Sequence, residues 1–301
     1  MKKRLGFILG LMLIFTMGIT VQAAKNDEII VALGADLTQE QRKTVLGYMG
    51  LEESNLENYK VITITNDMQQ KYLSNYLDAS IIGDSALSSV MLTKAEKGNG
   101  VLVTTQNINY CTTGMYRNAL LTAGLEDTNV LVVSPVPCSG TAAFIGAVKA
   151  YEEMKGEVIS DKELDTALNE LILTGQFVVE NIDNKKVENL IAFVKGKIAI
   201  GNIENAEDIL NAIQDGEQEF NITLTEEQKR QLINLMEKID NLGLSPEQLL
   251  EQAKDFYKKY GPELFNDAQE KVKETVSNSI LDYFSDMLER IKSLFYSFFT
   301  K

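Results

Sequence analysis

The segment "NVLVVSPVPCSGTAAFIGAVKAYE", Asn129 to Glu152, constrains the fold more than any other stretch of this chain. Its apolar run reads as a buried strand, its Cys-Ser-Gly-Thr stretch as a tight turn, and its small-residue continuation as a helix lying close to a sheet. The chain before it repeats the alternation. "EIIVALGADL" is a strand ending in a polar turn, and Thr38 with Gln41 three residues on makes a capping box for the helix "TQEQRKTVLGYMG", with Gly50 as its stop. "YKVITIT" is a second strand, after which Asn66-Asp67 caps "MQQKYLSNYL". "SALSSVMLTKAEKGNGVLVTTQNINY" reads as two strands joined by a turn at Lys97-Gly98-Asn99-Gly100, and "TTGMYRNALLTAG" as a helix. Alternation of this kind predicts an α/β layer with a partly parallel sheet, mixed by the hairpin.

After Gly156 the β signal fades. Ser160 with Glu163, Thr225 with Gln228, and Ser245 with Gln248 are three further capping boxes, the last with Pro246 at its first helical position. The phrases "LTQEQRK" and "LTEEQKR" are two uses of one helix start and not a repeat, because a strand precedes the first and a polar loop the second. The expected organisation is a signal peptide at 1–23, an α/β domain at 24–156 and an all-α helical domain at 157–301.

The start carries the export signal. Lys2, Lys3 and Arg4 precede an apolar run from Leu5 to about Ile19, and Val21-Gln22-Ala23 forms a small-residue cleavage site. A membrane anchor needs roughly 20 apolar residues, more than this run supplies. Cleavage removes three basic residues and no acidic ones, taking the net charge from −14 to −17. A surface so acidic opposes nucleic-acid binding and anionic lipid, and suits solubility. The chain has no histidine, which excludes Ser-His-Asp and Cys-His catalysis and every His-ligated metal site. Its two cysteines exclude a four-cysteine cluster within one chain. No cofactor, metal ligand or catalytic residue is assigned.

With "IIVALGADLTQEQRKTVLGYMG", "TITN", "NINYCTTGMYRNALLTAGL" and "SPVPCSGTAAFIGAVKAYE" in this order, the chain resembles a bacterial family of secreted proteins known as domain of unknown function 1002 (DUF1002), the YpuA-like proteins. The resemblance covers most of the mature chain and is densest between Ile29 and Glu152. It implies export and this general layout, and brings no activity, cofactor or catalytic residue with it.

Candidate site residues stand where strands end. Asp36 follows the first strand, Thr65 and Asn66 the second, Thr112 and Thr113 a later one, and Ser139, Gly140 and Thr141 the last. In a doubly wound sheet these ends and the helix N-termini beside them form a ligand crevice, since amide N–H groups and helix dipoles converge there. The same residue types are what helix caps require, and for Ser139 and Thr141 the cap is the preferred reading. Ser139 lacks the flanking glycines of a nucleophile elbow, and Gly140 to Gly146 lacks the Lys-Ser/Thr ending of a phosphate loop. Cys111 and Cys138 each fall between a strand and the next helix. If those strands are neighbours their ends approach within bridging range, and a disulfide closing a loop of about 27 residues would stabilise by roughly 3 kcal/mol.

From Phe265 to Phe298 apolar residues recur every three or four positions, a helical seam suited to a bundle or dimer. Its end, "IKSLFYSFF", is apolar on more than one face, which also suits a membrane surface or a partner groove. The expected function is a secreted or envelope-associated binding module with a small-ligand crevice and an envelope or extracellular partner. The alternatives are an envelope hydrolase using carboxylates or Ser139, and a homo-oligomer assembled through the C-terminal helices.

Overall fold

The computed structural model describes residues 28–244 apart from 78–81, 98, 181, 200–202 and 204. The signal peptide, the Ser245 capping box and the seam from Phe265 to Phe298 lie outside the described residues.

Strand β1 (Ile29–Gly34) is apolar on both faces because it is central: β2 (Lys60–Ile64) pairs with it in parallel and β3 (Ser89–Lys94) in antiparallel. β5 (Thr128–Cys138) lies antiparallel against β3, and β4 (Val101–Ile108) closes the far edge in parallel with β5. The order β2-β1-β3-β5-β4 makes a mixed five-stranded sheet in which all strands but β3 run one way. This corrects the expected hairpin. Both strands exist, but β5 lies between β3 and β4, and the loop joining them crosses the start of β5. There Ala95 N–H donates to Asp127 O at 2.7 Å, Gly100 N–H to Asp127 Oδ1 at 3.1 Å, and Thr128 N–H to Gly100 O at 2.9 Å.

The two faces of the sheet bury different helices, as side-chain alternation requires. Ile30, Ala32, Val90, Leu92, Val130 and Val132 share a core with α3 (Thr113–Thr122) and α4 (Thr141–Lys155). Val31, Leu33 and Val133 face the other way, onto Val45 and Leu46 of α1 (Gln39–Tyr48) and Leu56 of the 3₁₀ turn Glu53–Asn58. Helix α4 lies flat because it presents Ala142, Ala143, Ala147 and Ala150, all buried, around Phe144, Ile145 and Val148.

Three capping boxes form as expected, at Thr38/Gln41, Ser160/Glu163 and Thr225/Gln228. For α2 (Asn66–Leu73) the cap is Thr65, one residue before the expected Asn66-Asp67 pair. Thr65 Oγ1 accepts from Met68 N–H at 3.3 Å, and Asn66 is drawn into the helix.

Beyond Gly156 the described elements are α5 (Asp161–Val179), α6 (Asn184–Ala199), α7 (Ala206–Glu219) and α8 (Glu226–Asp240). Helix α5 serves two cores. Leu164, Leu168, Leu171 and Ile172 complete the sheet-side cluster, while Leu173 and Phe177 join Leu190, Ile213, Leu232 and Leu235 of the other three helices.

Candidate functional site

Four parallel strands bring their C-terminal ends to one edge, and the residues singled out there meet different fates. The Asp36 carboxylate accepts from Ala86 N–H at 2.7 Å and fastens the approach to β3. Thr65 caps α2, and Asn66 Nδ2 donates to Gly83 O at 2.9 Å. Thr112 caps α3 by accepting from Met115 N–H at 3.1 Å, while its hydroxyl donates to the Glu188 carboxylate of α6. The expected ring of strand-end residues is thus divided. Ser139 lines one cleft of about 370 Å³ with Gln69, Asp84, Ser85, Ser88 and Ala142. Thr112 and Thr113 line a second, of about 390 Å³, with Asn109, Tyr110 and Asn184. Asp36, Thr65 and Asn66 line neither.

The turn Ser139-Gly140-Thr141 is built around its glycine. Gly140 is the N-cap of α4 with φ at +91°, a conformation that side chains resist. A Cβ there would also run into the Tyr116 hydroxyl and stand 2.7 Å from Cγ2 of Ile108. Tyr116 reaches under the turn and donates to Gly140 O at 2.5 Å. Having no side chain, Gly140 cannot cap, and the expected cap role of Ser139 or Thr141 is not what forms. The Ser139 hydroxyl hydrogen-bonds Thr141 Oγ1 at 3.2 Å, and Thr141 Oγ1 in turn donates to Gln69 Oε1 at 3.1 Å. The acceptor for α4 arrives from the sheet side, where Ser88 Oγ takes Ala143 N–H at 3.0 Å.

Gly140 brings no side-chain acceptor to the first turn of α4, and of that turn Ala142 lines the cleft. Gln69, in the same lining, is 1% exposed, and its Nε2 has no hydrogen-bond partner among the described residues. Buried donors without acceptors are uncommon because each forfeits its bonds to water. Helix α3 makes the contrast. Its N-terminus receives the Glu188 carboxylate, which lies so close over Gly114 that a Cβ would strike it. Burial raises the Glu188 pKa, opposed by the Thr112 hydrogen bond and by the Arg117 charge.

Cys111 and Cys138 are free thiols, one buried and one half-buried. Their strands are neighbours, with Ile108 opposite Cys138 and Cys111 N–H donating to Ser139 O at 3.1 Å. Burial, with the Cys138 charge adding to it, holds the Cys111 thiol well above its usual range, which keeps it protonated at neutral pH. Cys138 Sγ donates to Ser134 Oγ at 3.2 Å.

Gln69 and Ser88 are site residues that sequence reading missed. Gln69 stands four positions before Leu73 and eight before Leu77, on the stripe that α2 buries, and a polar residue in that register was the available signal. Ser88 offered none, since its partner is 55 positions away.

The family profile described as "Protein of unknown function (DUF1002)" matches residues 33–256. The chain is 34% identical over 281 residues to the Bacillus subtilis (strain 168) protein named "Uncharacterized protein YpuA", covering 92% of this chain and 93% of that one. No solved structure matches. The profile and the relative together place the chain in the DUF1002 family.

Proposed function

We propose that this chain is an exported binding module of the cell envelope or extracellular space, and that its ligand sits in the cleft at the head of α4. One observation carries the reading: the uncapped first turn of α4 brings Ala142 to a cleft of about 370 Å³ that is also lined by Gln69, whose buried Nε2 has no partner among the described residues. Clefts at strand C-terminal ends are the usual seat of ligands in open α/β sheets. Export is supported by the basic, apolar and small-residue pattern of residues 2–23. No described helix is long and apolar enough to cross a membrane. The helical segment from 157 onward is proposed as a second unit that packs against the sheet layer through α5, and in an oxidising compartment Cys111 and Cys138 are proposed to pair.

The test is a thermal-shift screen of the mature protein against wall fragments, sugars, nucleotides and metals, since a ligand bound to the native state raises Tm by mass action. At least one should raise Tm, and Ser139→Ala or Gln69→Met should reduce that rise. A ligand whose shift both variants leave intact would move the site elsewhere. N-terminal sequencing of exported protein should begin near Ala24. On non-reducing mass spectrometry it should lack two alkylatable thiols, and finding both would end the disulfide proposal.

A further inference from the structure

The proposed cleft is chemically lopsided, and this restricts what it can hold. Its inner end meets the uncapped first turn of α4. Thr141 and Ala142 N–H open the 15-residue helix α4, whose dipole adds partial positive charge, and Gly140 supplies no capping oxygen. The second, independent sign is Gln69. Thr141 occupies Oε1 of its amide, so the atom left without a partner is the donor Nε2, buried at 1% exposure in the wall of the same cleft. Donors of this kind call for an oxyanion. Among the described residues the lining holds no Lys or Arg, and its single charge is the carboxylate of Asp84, which is exposed. A multiply charged anion such as a phosphate ester would meet Asp84 and a mature chain of net charge −17, with no Lys or Arg among the described lining residues to neutralise it. A carboxylate whose own molecule carries an ammonium group avoids that repulsion and offers Asp84 a partner.

We infer that the cleft binds a small zwitterion, an amino acid or short free peptide, with its carboxylate on the first turn of α4 and Gln69 Nε2 and its ammonium toward Asp84. The inference rests on the cleft being the ligand site.

The full mature chain would be titrated with L-alanine, dialanine and trialanine, which vary the charge separation. Their N-acetyl and C-terminal amide forms, inorganic phosphate and glucose complete the set, with binding read by ¹⁵N chemical shifts. At least one zwitterion should move the Thr141 and Ala142 amide resonances and bind at least tenfold more tightly than either blocked form. Asp84→Asn, a change at an exposed position, should remove the discrimination against the N-acetyl form, and Gln69→Met should weaken both. Tighter binding of phosphate or of an N-acetyl form, indifferent to Asp84→Asn, would overturn the zwitterion while leaving the cleft. So would glucose moving Ser139 and Gln69 alone. If no probe moves any cleft resonance, both the inference and the site fall.

Discussion

Ser88 reaches the head of α4 from 55 positions away, and the helix depends on it because the local sequence provides only Gly140 as N-cap. Local caps were legible here: Thr38, Ser160 and Thr225 carry their partners three residues on. A cap delivered by the tertiary fold leaves no such spacing. Ser88→Ala should therefore cost about 1 kcal/mol in urea unfolding, the usual loss for a capping side chain. Ser139→Ala, which removes only a hydroxyl–hydroxyl contact, should stay within about 0.5 kcal/mol of wild type. The reverse ranking would restore the sequence-based assignment of the cap to Ser139. Two tyrosines allow a further test at this scale. Burial pushes Tyr110 up to about 12, the charge of Cys111 adding to it, and burial likewise pushes Tyr151 up to about 12. An unfolded tyrosine titrates near about pH 10. Below that both states keep the proton and stability is unaffected. Between about pH 10 and about pH 12 the unfolded state loses protons first and stability falls. Absorbance titration should show tyrosinate signal delayed beyond pH 10, with melts falling over the same window. If all eleven tyrosines titrate together near pH 10 with no loss of stability, their burial is wrong.

Elements were easier to read than their neighbours in space. The apolar runs located the strands, yet periodicity carries no information on which strand lies beside which, and short spacing made β3 and β4 look like a hairpin. What separates them is β5, held at its start by Asp127. That residue accepts from both ends of the β3–β4 loop, through its carbonyl to Ala95 and its carboxylate to Gly100, and has φ at +44°. Asx residues tolerate this conformation better than other side chains. Asp127→Ala should thus cost about 1–2 kcal/mol from a lost acceptor and a strained φ, with Asp127→Asn close to neutral because its amide oxygen still serves Gly100. In a β3–β4 hairpin Asp127 would hold nothing in that loop. An Ala variant as stable as wild type in urea would count against the observed strand order.

For the molecule as a whole, the sheet layer and the helices beyond it meet at a buried ion pair that was written in the sequence but not read. Lys195 lies four positions after Ile191 and eight after Val187, on the stripe that α6 buries, and Glu170 lies between the buried Thr166 and Thr174 on α5. Charges in such register are the legible sign of buried pairing; what the sequence does not show is which charge meets which. The two side chains are fully buried and paired, and Lys195 also donates to Thr122 Oγ1 at 2.6 Å and Asn118 O at 3.2 Å on α3. Thr122 donates to the other Glu170 oxygen at 2.6 Å. Three helices from both sides of the junction thus share one network. Burial drags the Lys195 pKa down while Glu170 pulls it back up, the balance expected where desolvation opposes attraction. Lys195→Met should leave an uncompensated carboxylate and cost about 3–5 kcal/mol, and Glu170→Leu should cost a similar amount by stranding the ammonium. The double variant should regain most of this, because apolar side chains of similar size replace a pair whose burial was itself expensive. Without Glu170 the Thr122 hydroxyl turns its one hydrogen to Asn118 O, so no buried hydroxyl is left unpaired and the cycle reports the network as a unit. Urea unfolding of the four proteins measures the coupling directly. Additive losses, or a Lys195→Met variant within about 1 kcal/mol of wild type, would mean that the junction is held by apolar packing of α5 alone.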